Sequence, residues 1–339
     1  MASEGRCRLR CCEVYLEEVT KGLKLCILSW FSAANGPIRK NETQTMSSNI
    51  WTVHTILKVA TDYLTGKGID SPRLSAELLL AHQLNLDRVN LYLNYDRPLN
   101  EQELEGYRSL LRRCITREPI QYITGVQEFW SMDFAVSPGV LIPRPESELL
   151  IEQVVSLCAG GRVPESVSPR ILDLGTGSGA LAVTLARELE NAVIWASDIS
   201  PVALEVAYQN AGRHGVAERI TFVEGDLFQP FRAQRNSFDV ILSNPPYIAS
   251  SVLDSLAPEV RDHEPRRALD GGVGGMDAIN KIFAEGPEHL NPKGWILMEM
   301  DPEQTLQALS IMEADPRYGE GDRIQDYSHR YRVVMGQKF

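Results

Sequence analysis

The chain has 339 residues, 43% of them hydrophobic, and a formal net charge of -11. That length leaves room for two domains of about 100–200 residues each, and the acidic total argues against a generic nucleic-acid binder, which carries a basic face. No apolar run reaches the roughly 18–20 residues that span a bilayer.

Residues 1–45 differ in pattern from the rest of the chain. They mix Arg6, Arg8 and Arg10 with Glu13, Glu17 and Glu18, and the glutamates count against a transit peptide. Cys7, Cys11, Cys12 and Cys26 crowd together without the paired spacing of a zinc site, while Cys114 and Cys158 lie alone. With no signal peptide, the expectation is a cytoplasmic protein with reduced thiols, preceded by a disordered extension that lies upstream of the true start. Met46-Ser47-Ser48 then opens a patterned region.

From Trp51 to about Arg117 the pattern is helical. Trp51, Val53, Ile56, Leu57, Ala60 and Leu64 form a stripe closed by Gly66 and Gly68. Ser71-Pro72 starts a second helix, with Leu74, Leu78, Leu79 and His82 on one face. Asn100 and Glu103 have the spacing of a capping box. His54 and His82 are lone helical histidines and receive no role. The segment has balanced charge and no catalytic constellation, which suits a small bundle that recognises a partner. After Glu118-Pro119, residues 121–145 alternate as strands, with Phe129 to Val136 leading to a turn at Ser137-Pro138-Gly139. Leu141 to Glu146 ends this hairpin and starts a helix to about Cys158, and residues 160–169 form a loop.

Strands then alternate with helices. Strands are expected at residues 170–174, 193–197, 220–223, 238–243 and 295–300, with an antiparallel pair at 324–327 and 331–335 closing the sheet. Helices are expected at 180–189, after Ser200-Pro201, at 252–260 and at 277–289. Seven strands arranged this way predict an α/β, doubly wound, mainly parallel Rossmann-like sheet. No internal repeat is present.

Two loops carry chemistry. Gly175-Thr176-Gly177-Ser178-Gly179 follows a strand directly and opens a helix, so its backbone can approach a ligand closely beside free N–H groups. The dinucleotide fingerprint is Gly-x-Gly-x-x-Gly, and the spacing here is shorter. Asp198 closes the next strand about 20 residues later, where a carboxylate accepts from ribose hydroxyls. Asp226-Leu227 ends the third strand, with Leu227 placed to pack a ring face and Asp226 to accept from an amino group. Asn244-Pro245-Pro246-Tyr247 sits at the tip of the strand Phe238–Ser243, at the sheet edge where ligands bind. Two prolines stiffen this corner and remove two backbone donors. The Asn244 side-chain oxygen and the Pro245 carbonyl remain as acceptors for a planar –NH2 group, with Tyr247 beside them. No metal-ligand pattern accompanies these loops.

Asp173 followed by the glycine turn resembles motif I of class I S-adenosylmethionine-dependent methyltransferases, and Asn-Pro-Pro-Tyr resembles the signature of those that act on planar amino nitrogens. The tetrapeptide is shared by enzymes acting on adenine N6, guanine N2 and protein glutamine. Residues 117–125 (Arg-Glu-Pro-Ile-Gln-Tyr-Ile-Thr-Gly), 141–148 (Leu-Ile-Pro-Arg-Pro-Glu-Ser-Glu) and 264–272 (Glu-Pro-Arg-Arg-Ala-Leu-Asp-Gly-Gly) extend the resemblance to the HemK/PrmC family of release-factor glutamine methyltransferases, from about Trp51 to the C-terminus. The resemblance implies methylation of N5 of the glutamine in the Gly-Gly-Gln loop of peptide chain release factors, in translation termination. It implies a helical substrate-recognition domain over 46–118, a hairpin linker over 119–145 and a catalytic domain over 146–339, with 1–45 unmatched. It assigns Gly175, Thr176, Gly177, Ser178, Gly179, Asp198, Leu227 and Asn244 to S-adenosylmethionine, and Asn244, Pro245, Pro246 and Tyr247 to the glutamine and to catalysis. Arg144 and Glu146 either brace the pocket or touch the release factor, or else belong to a proline-framed loop with a capping glutamate. No direct nucleic-acid or membrane partner is expected. An adenine-N6 or guanine-N2 nucleic-acid methyltransferase is the alternative, and it requires a basic groove leading to the loop. A non-catalytic S-adenosylmethionine-binding scaffold is a third possibility, against which the intact glycines and Asn244 argue.

Overall fold

The computed structural model describes residues 51–163 and 168–339. The expectations for residues 1–45 and for Met46 lie outside the described residues. The chain forms two compact units divided after Leu111.

The first unit holds helices α1 (Val53–Gly66), α2 (Pro72–Leu84), α3 (Arg88–Leu93) and most of α4 (Glu101–Ile115). Thr52 caps α1 in a reciprocal box with Thr55, and α1 buries Val53, Ile56, Leu57, Ala60 and Leu64. The Glu103 N–H donates to Asn100 Oδ1 and the Asn100 N–H to Glu103 Oε2, both at 2.9 Å, so two otherwise orphaned donors at the start of α4 are satisfied. The expected buried face of α2 needs correction. Ser75, Ala76, Glu77, Leu79, Leu80 and Ala81 are buried, while Leu74 and His82 are exposed. A carboxylate can sit on that face because Arg73, Arg88 and Tyr92 all donate to Glu77.

The second unit begins with α5 (Ile120–Thr124) and a two-stranded hairpin, β1 (Val126–Phe129) and β2 (Met132–Ala135). Residues 121–124 are therefore helical rather than extended, since Pro119 starts a turn that Gly125 ends in the left-handed region. The hairpin turn falls at Trp130-Ser131, not at Ser137-Pro138-Gly139. Both turn residues take positive φ (53° and 55°), the geometry of a type I′ connection, in the absence of the usual Asn-Gly. Trp130 is tied down by Glu148, which accepts its backbone N–H (2.7 Å), and by Glu188, which accepts its indole N–H (2.8 Å).

Helix α6 (Glu148–Ala159) leads to the main sheet. This comprises β3 (Arg170–Leu174), β4 (Val193–Asp198), β5 (Ile220–Glu224), β6 (Phe238–Ser243), β7 (Leu290–Glu299), β8 (Tyr318–Gln325) and β9 (Tyr331–Lys338). The spatial order is β5-β4-β3-β6-β7-β9-β8. The first five strands run parallel, and β9 pairs antiparallel with both β7 and β8. Helices α7 (Ala180–Glu188), α8 (Pro201–Arg213), α9 (Asp277–His289) and α10 (Thr305–Glu313) complete the unit.

Strand alternation places the core on both faces. Ile171, Val240, Leu242, Trp295 and Leu297 pack with α6 and α7, while Leu172, Ile241, Ile296 and Met298 pack with α9 and α10. The helix expected at residues 252–260 is absent. A 3-10 turn (Leu253–Ser255) and one helical turn (Pro258–Arg261) stand there instead, because Pro258 supplies no N–H and pushes Ala257 into extended backbone. The strand order reverses between β3 and β6, and the carboxyl ends of those strands open a crevice at that switch point.

Candidate active site

The crevice is a cavity of about 1020 Å³, and Gly175, Thr176, Gly177, Ser178, Asp198, Leu227, Asn244 and Pro246 all line it. Residues up to 71 apart in sequence thus meet at one sheet edge. Gly179, Pro245 and Tyr247 do not line it.

The glycine turn explains this division. Gly175 and Gly177 take φ of +73° and +57°, and a Cβ built on either meets nothing within 4 Å. Their missing side chains leave open room beside the cavity. At Gly179 a Cβ would stand 2.9 Å from Ala207 Cβ, so this glycine lets α7 approach α8 and serves packing. The N–H groups of Gly175 and Thr176 both reach the Ser197 carbonyl (2.8 and 2.9 Å), which locks the turn to β4. Beneath it Asp173 is fully buried. Thr176 Oγ1 donates to Asp173 Oδ2 at 2.7 Å, while Oδ1 has no hydrogen-bond partner among the described residues. Burial pushes the Asp173 carboxyl up to about 7.

Asp198 stands beside the turn. Oδ2 accepts from the Gly177 N–H and Oδ1 from the Ser200 N–H, both at 2.9 Å. Each oxygen keeps a further lone pair, so a fixed carboxylate can still accept two ligand hydroxyls. Burial raises its pKa, and the Ser200 and Gly177 N–H groups and the charge of Arg267 oppose the rise. Leu227 lies in the left-handed region at φ +46°, a conformation that costs an L-residue about 1–2 kcal/mol. Asp226 and Ile199 line the cavity close by.

The Asn244 corner is held from three sides. The Gln304 amide donates to the Tyr247 carbonyl at 2.8 Å, and the Gly271 N–H donates to the Ile248 carbonyl at 2.8 Å. A Cβ on Gly271 would lie 2.7 Å from the Pro246 carbonyl oxygen, so only glycine permits that approach. Behind the corner, Asn244 Nδ2 donates to Ser147 Oγ at 2.9 Å and Ser147 Oγ donates to Glu299 Oε2 at 2.5 Å. The Tyr247 hydroxyl donates to Glu299 Oε1 at 3.2 Å. Asn244 therefore spends its amide nitrogen on Ser147, which leaves Oδ1 as the acceptor available at the cavity.

Tyr247 thus belongs to the support of Asn244 rather than to the cavity wall. Burial and the neighbouring Glu299 raise its pKa. Ser147 and Glu299 were not singled out in the sequence. One signal was there: Glu299 interrupts the apolar run Ile296-Leu297-Met298 and Met300, and a carboxylate in a buried strand requires dedicated partners.

Arg144 pairs with the buried Glu264 at 2.6 Å, and Glu264 also accepts the Ile142 N–H at 3.3 Å. The pair ties the cavity-lining Leu141 and Pro143 to Pro265, also in the wall. Arg144→Ala should destabilise the unit by about 2–4 kcal/mol by stranding a buried carboxylate. Chemical denaturation checks this, with part of the loss recovered in the Arg144→Ala, Glu264→Ala double variant.

A PrmC N-terminal domain model matches residues 55–125 and a methyltransferase domain model matches residues 166–318. The release factor glutamine methyltransferase of Geobacter sulfurreducens is 46% identical over 295 residues, covering 86% of this chain and 99% of that protein. Those of Koribacter versatilis and Chlorobaculum tepidum are 45% and 40% identical, covering 82% of this chain and 96% and 95% of theirs.

The chain belongs to the release factor glutamine methyltransferase family.

It is accordingly a methyltransferase, and its methyltransferase-domain match takes in Gly175, Asp198, Leu227 and Asn244 together with Glu299. Ser147 lies before that match, on the turn preceding α6. Among the described residues, no helix is long and apolar enough to cross a membrane, and no group of His, Cys, Asp and Glu side chains could hold a metal ion.

Proposed function

We propose that this methyltransferase transfers a methyl group from S-adenosylmethionine to N5 of the glutamine in the Gly-Gly-Gln loop of peptide chain release factors. The observation that carries the reading is the Asn244 carboxamide, whose nitrogen is committed to Ser147 while its oxygen is left to a cavity shared with the glycine turn. The names of the similar proteins from Geobacter sulfurreducens, Koribacter versatilis and Chlorobaculum tepidum support release factor glutamine as the target.

The residues present fit the cofactor. Gly175 and Gly177 leave open space where a ligand's backbone-facing edge would lie. Asp198 is fixed by two N–H groups and retains lone pairs for ribose hydroxyls, and Ile199 and Leu227 offer apolar surface for a base. When bound, S-adenosylmethionine supplies an electrophilic methyl group on a positively charged sulfur.

The chain's residues act on the amide. An amide nitrogen is a poor nucleophile because its lone pair is delocalised into the carbonyl. Asn244 Oδ1 accepts one N–H at the cavity and holds the nitrogen with its face toward the methyl donor. As positive charge grows on nitrogen that hydrogen bond strengthens, so the transition state is stabilised more than the ground state. The double proline keeps this acceptor in place beforehand and adds the benefit of alignment. The nitrogen sheds its proton to solvent after attack, so no separate base is required beforehand.

Incubation with labelled S-adenosylmethionine and purified release factor tests this reading. Label should enter the release factor and be lost when its Gly-Gly-Gln glutamine is replaced. Label entering only RNA or DNA would instead favour an adenine or guanine amino group as the acceptor.

A further inference from the structure

Behind the cavity wall runs a line of hydrogen bonds, Asn244 to Ser147 to Glu299, which Tyr247 joins from the other end. Ser147 is 5% exposed and Glu299 is fully buried. We propose that Glu299 is a positioning residue which, through Ser147, fixes the Asn244 carboxamide so that its oxygen rather than its nitrogen meets the substrate. This rests on the amide-methylation reading above.

The number of hydrogens along the line decides the orientation. An ionised carboxylate has none and can only accept. The Ser147 hydroxyl has one, and it is spent on Glu299. Its oxygen can then only accept from Asn244, which must present Nδ2 to it. Oδ1 is left facing the cavity. The two ends of a carboxamide have nearly the same shape, so packing alone separates them poorly. A charge at the far end of the line decides between them. In the reverse orientation an NH2 group would meet the NH2 of the substrate, donor against donor.

The surroundings set the pH range over which this holds. Burial pushes the Glu299 carboxyl up to about 7, against the hydrogen bonds from Ser147 and Tyr247. The charge of Glu146 adds to the rise and that of Arg332 opposes it. Arg144 also faces the cluster through its effect on Tyr247. A protonated Glu299 can donate to Ser147. The serine proton then turns to Asn244, and the amide turns its nitrogen to the cavity. The competent form is the ionised one, so kcat should fall as pH drops through about 7.

The test measures kcat against pH for the wild type, Glu299→Gln, Ser147→Ala and Ser147→Thr, with release factor as substrate. Glutamine keeps the size of Glu299 but is no longer an obligatory acceptor. Glu299→Gln should lower kcat by about 10–100-fold at neutral pH, leave KM little changed and abolish the acid limb. Ser147→Ala should lose kcat similarly, and Ser147→Thr should recover most of that loss. Independently, the side-chain NH2 signal of Asn244 in nitrogen-labelled protein should titrate near pH 7 in the wild type and be flat in Glu299→Gln. That signal needs no turnover, so a wild type inactive on release factor would count against the methylation reading while the orientation of Asn244 is still decided. An unchanged kcat and acid limb in Glu299→Gln, or an Asn244 signal indifferent to both pH and this substitution, overturns the proposal.

Discussion

Asn244→Ala should lower kcat by about 10²–10³-fold, the loss expected when one preorganised polar contact to a transition state is removed. The equilibrium binding of S-adenosylmethionine should change far less. The residue is one of many that line the cavity, and Asp198, Leu227 and the glycine turn line it independently of Asn244. Nor should the fold suffer, since Asn244 is only partly buried and Pro245, Gln304 and Gly271 still frame the corner. Single-turnover methylation beside calorimetric cofactor binding separates the two effects. Near-wild-type turnover would mean that Asn244 Oδ1 does not hold the reacting amide.

The second large effect concerns the glycines, which look interchangeable in sequence and are not. Gly177→Val places a branched side chain at φ +57° in the space beside the cavity and strains the N–H that holds Asp198. Affinity for S-adenosylmethionine should fall at least about 100-fold, equivalent to the loss of about 3 kcal/mol of binding. The melting temperature should fall less than in Gly179→Ala, because a Cβ at position 177 meets no protein atom within 4 Å and only the strain of a left-handed backbone remains. Gly179→Ala should do the opposite. Its Cβ would press on Ala207 at 2.9 Å and keep a left-handed φ of +81°, costing about 2–4 kcal/mol of stability through overpacking and strain. Cofactor affinity in the folded fraction should be largely retained. Thermal unfolding and calorimetry on the two variants check the assignment, and exchanged outcomes would refute it.

These contrasts mark how far the sequence could be read. The alternation of Ile171, Leu172, Val240, Ile241, Ile296 and Leu297, with turn residues between, was enough for a two-faced parallel sheet. The second strand of the closing pair was legible from Val333 and Met335 on β9, whereas the edge strand β8 runs over Tyr318–Gln325, earlier than the expected 324–327. The Gly-x-Gly-x-Gly turn and Asn-Pro-Pro-Tyr were legible because local stereochemistry demands those residues. What escaped was set by tertiary partners. The Trp130-Ser131 turn has the wrong residues for its φ values and is held by Glu148 and Glu188 from elsewhere in the chain. Glu77 is buried in α2 only because Arg88 and Tyr92 arrive from α3. Ser147 and Glu299 are 152 residues apart, and nothing local to either announces a hydrogen bond between them. Gly179 shares the motif of Gly175 and Gly177, yet its neighbour Ala207 gives it a different task.

Methylation of a release factor, with mass spectrometry of its Gly-Gly-Gln peptide, tests the central claim most directly. One methyl group should be found on the side-chain amide nitrogen of that glutamine, and far less of it over the same reaction time when Asn244→Ala replaces the wild type. A methyl group on another residue or on nucleic acid, with the glutamine untouched, would contradict the claim that the Asn244 corner presents a planar glutamine amide to the methyl donor.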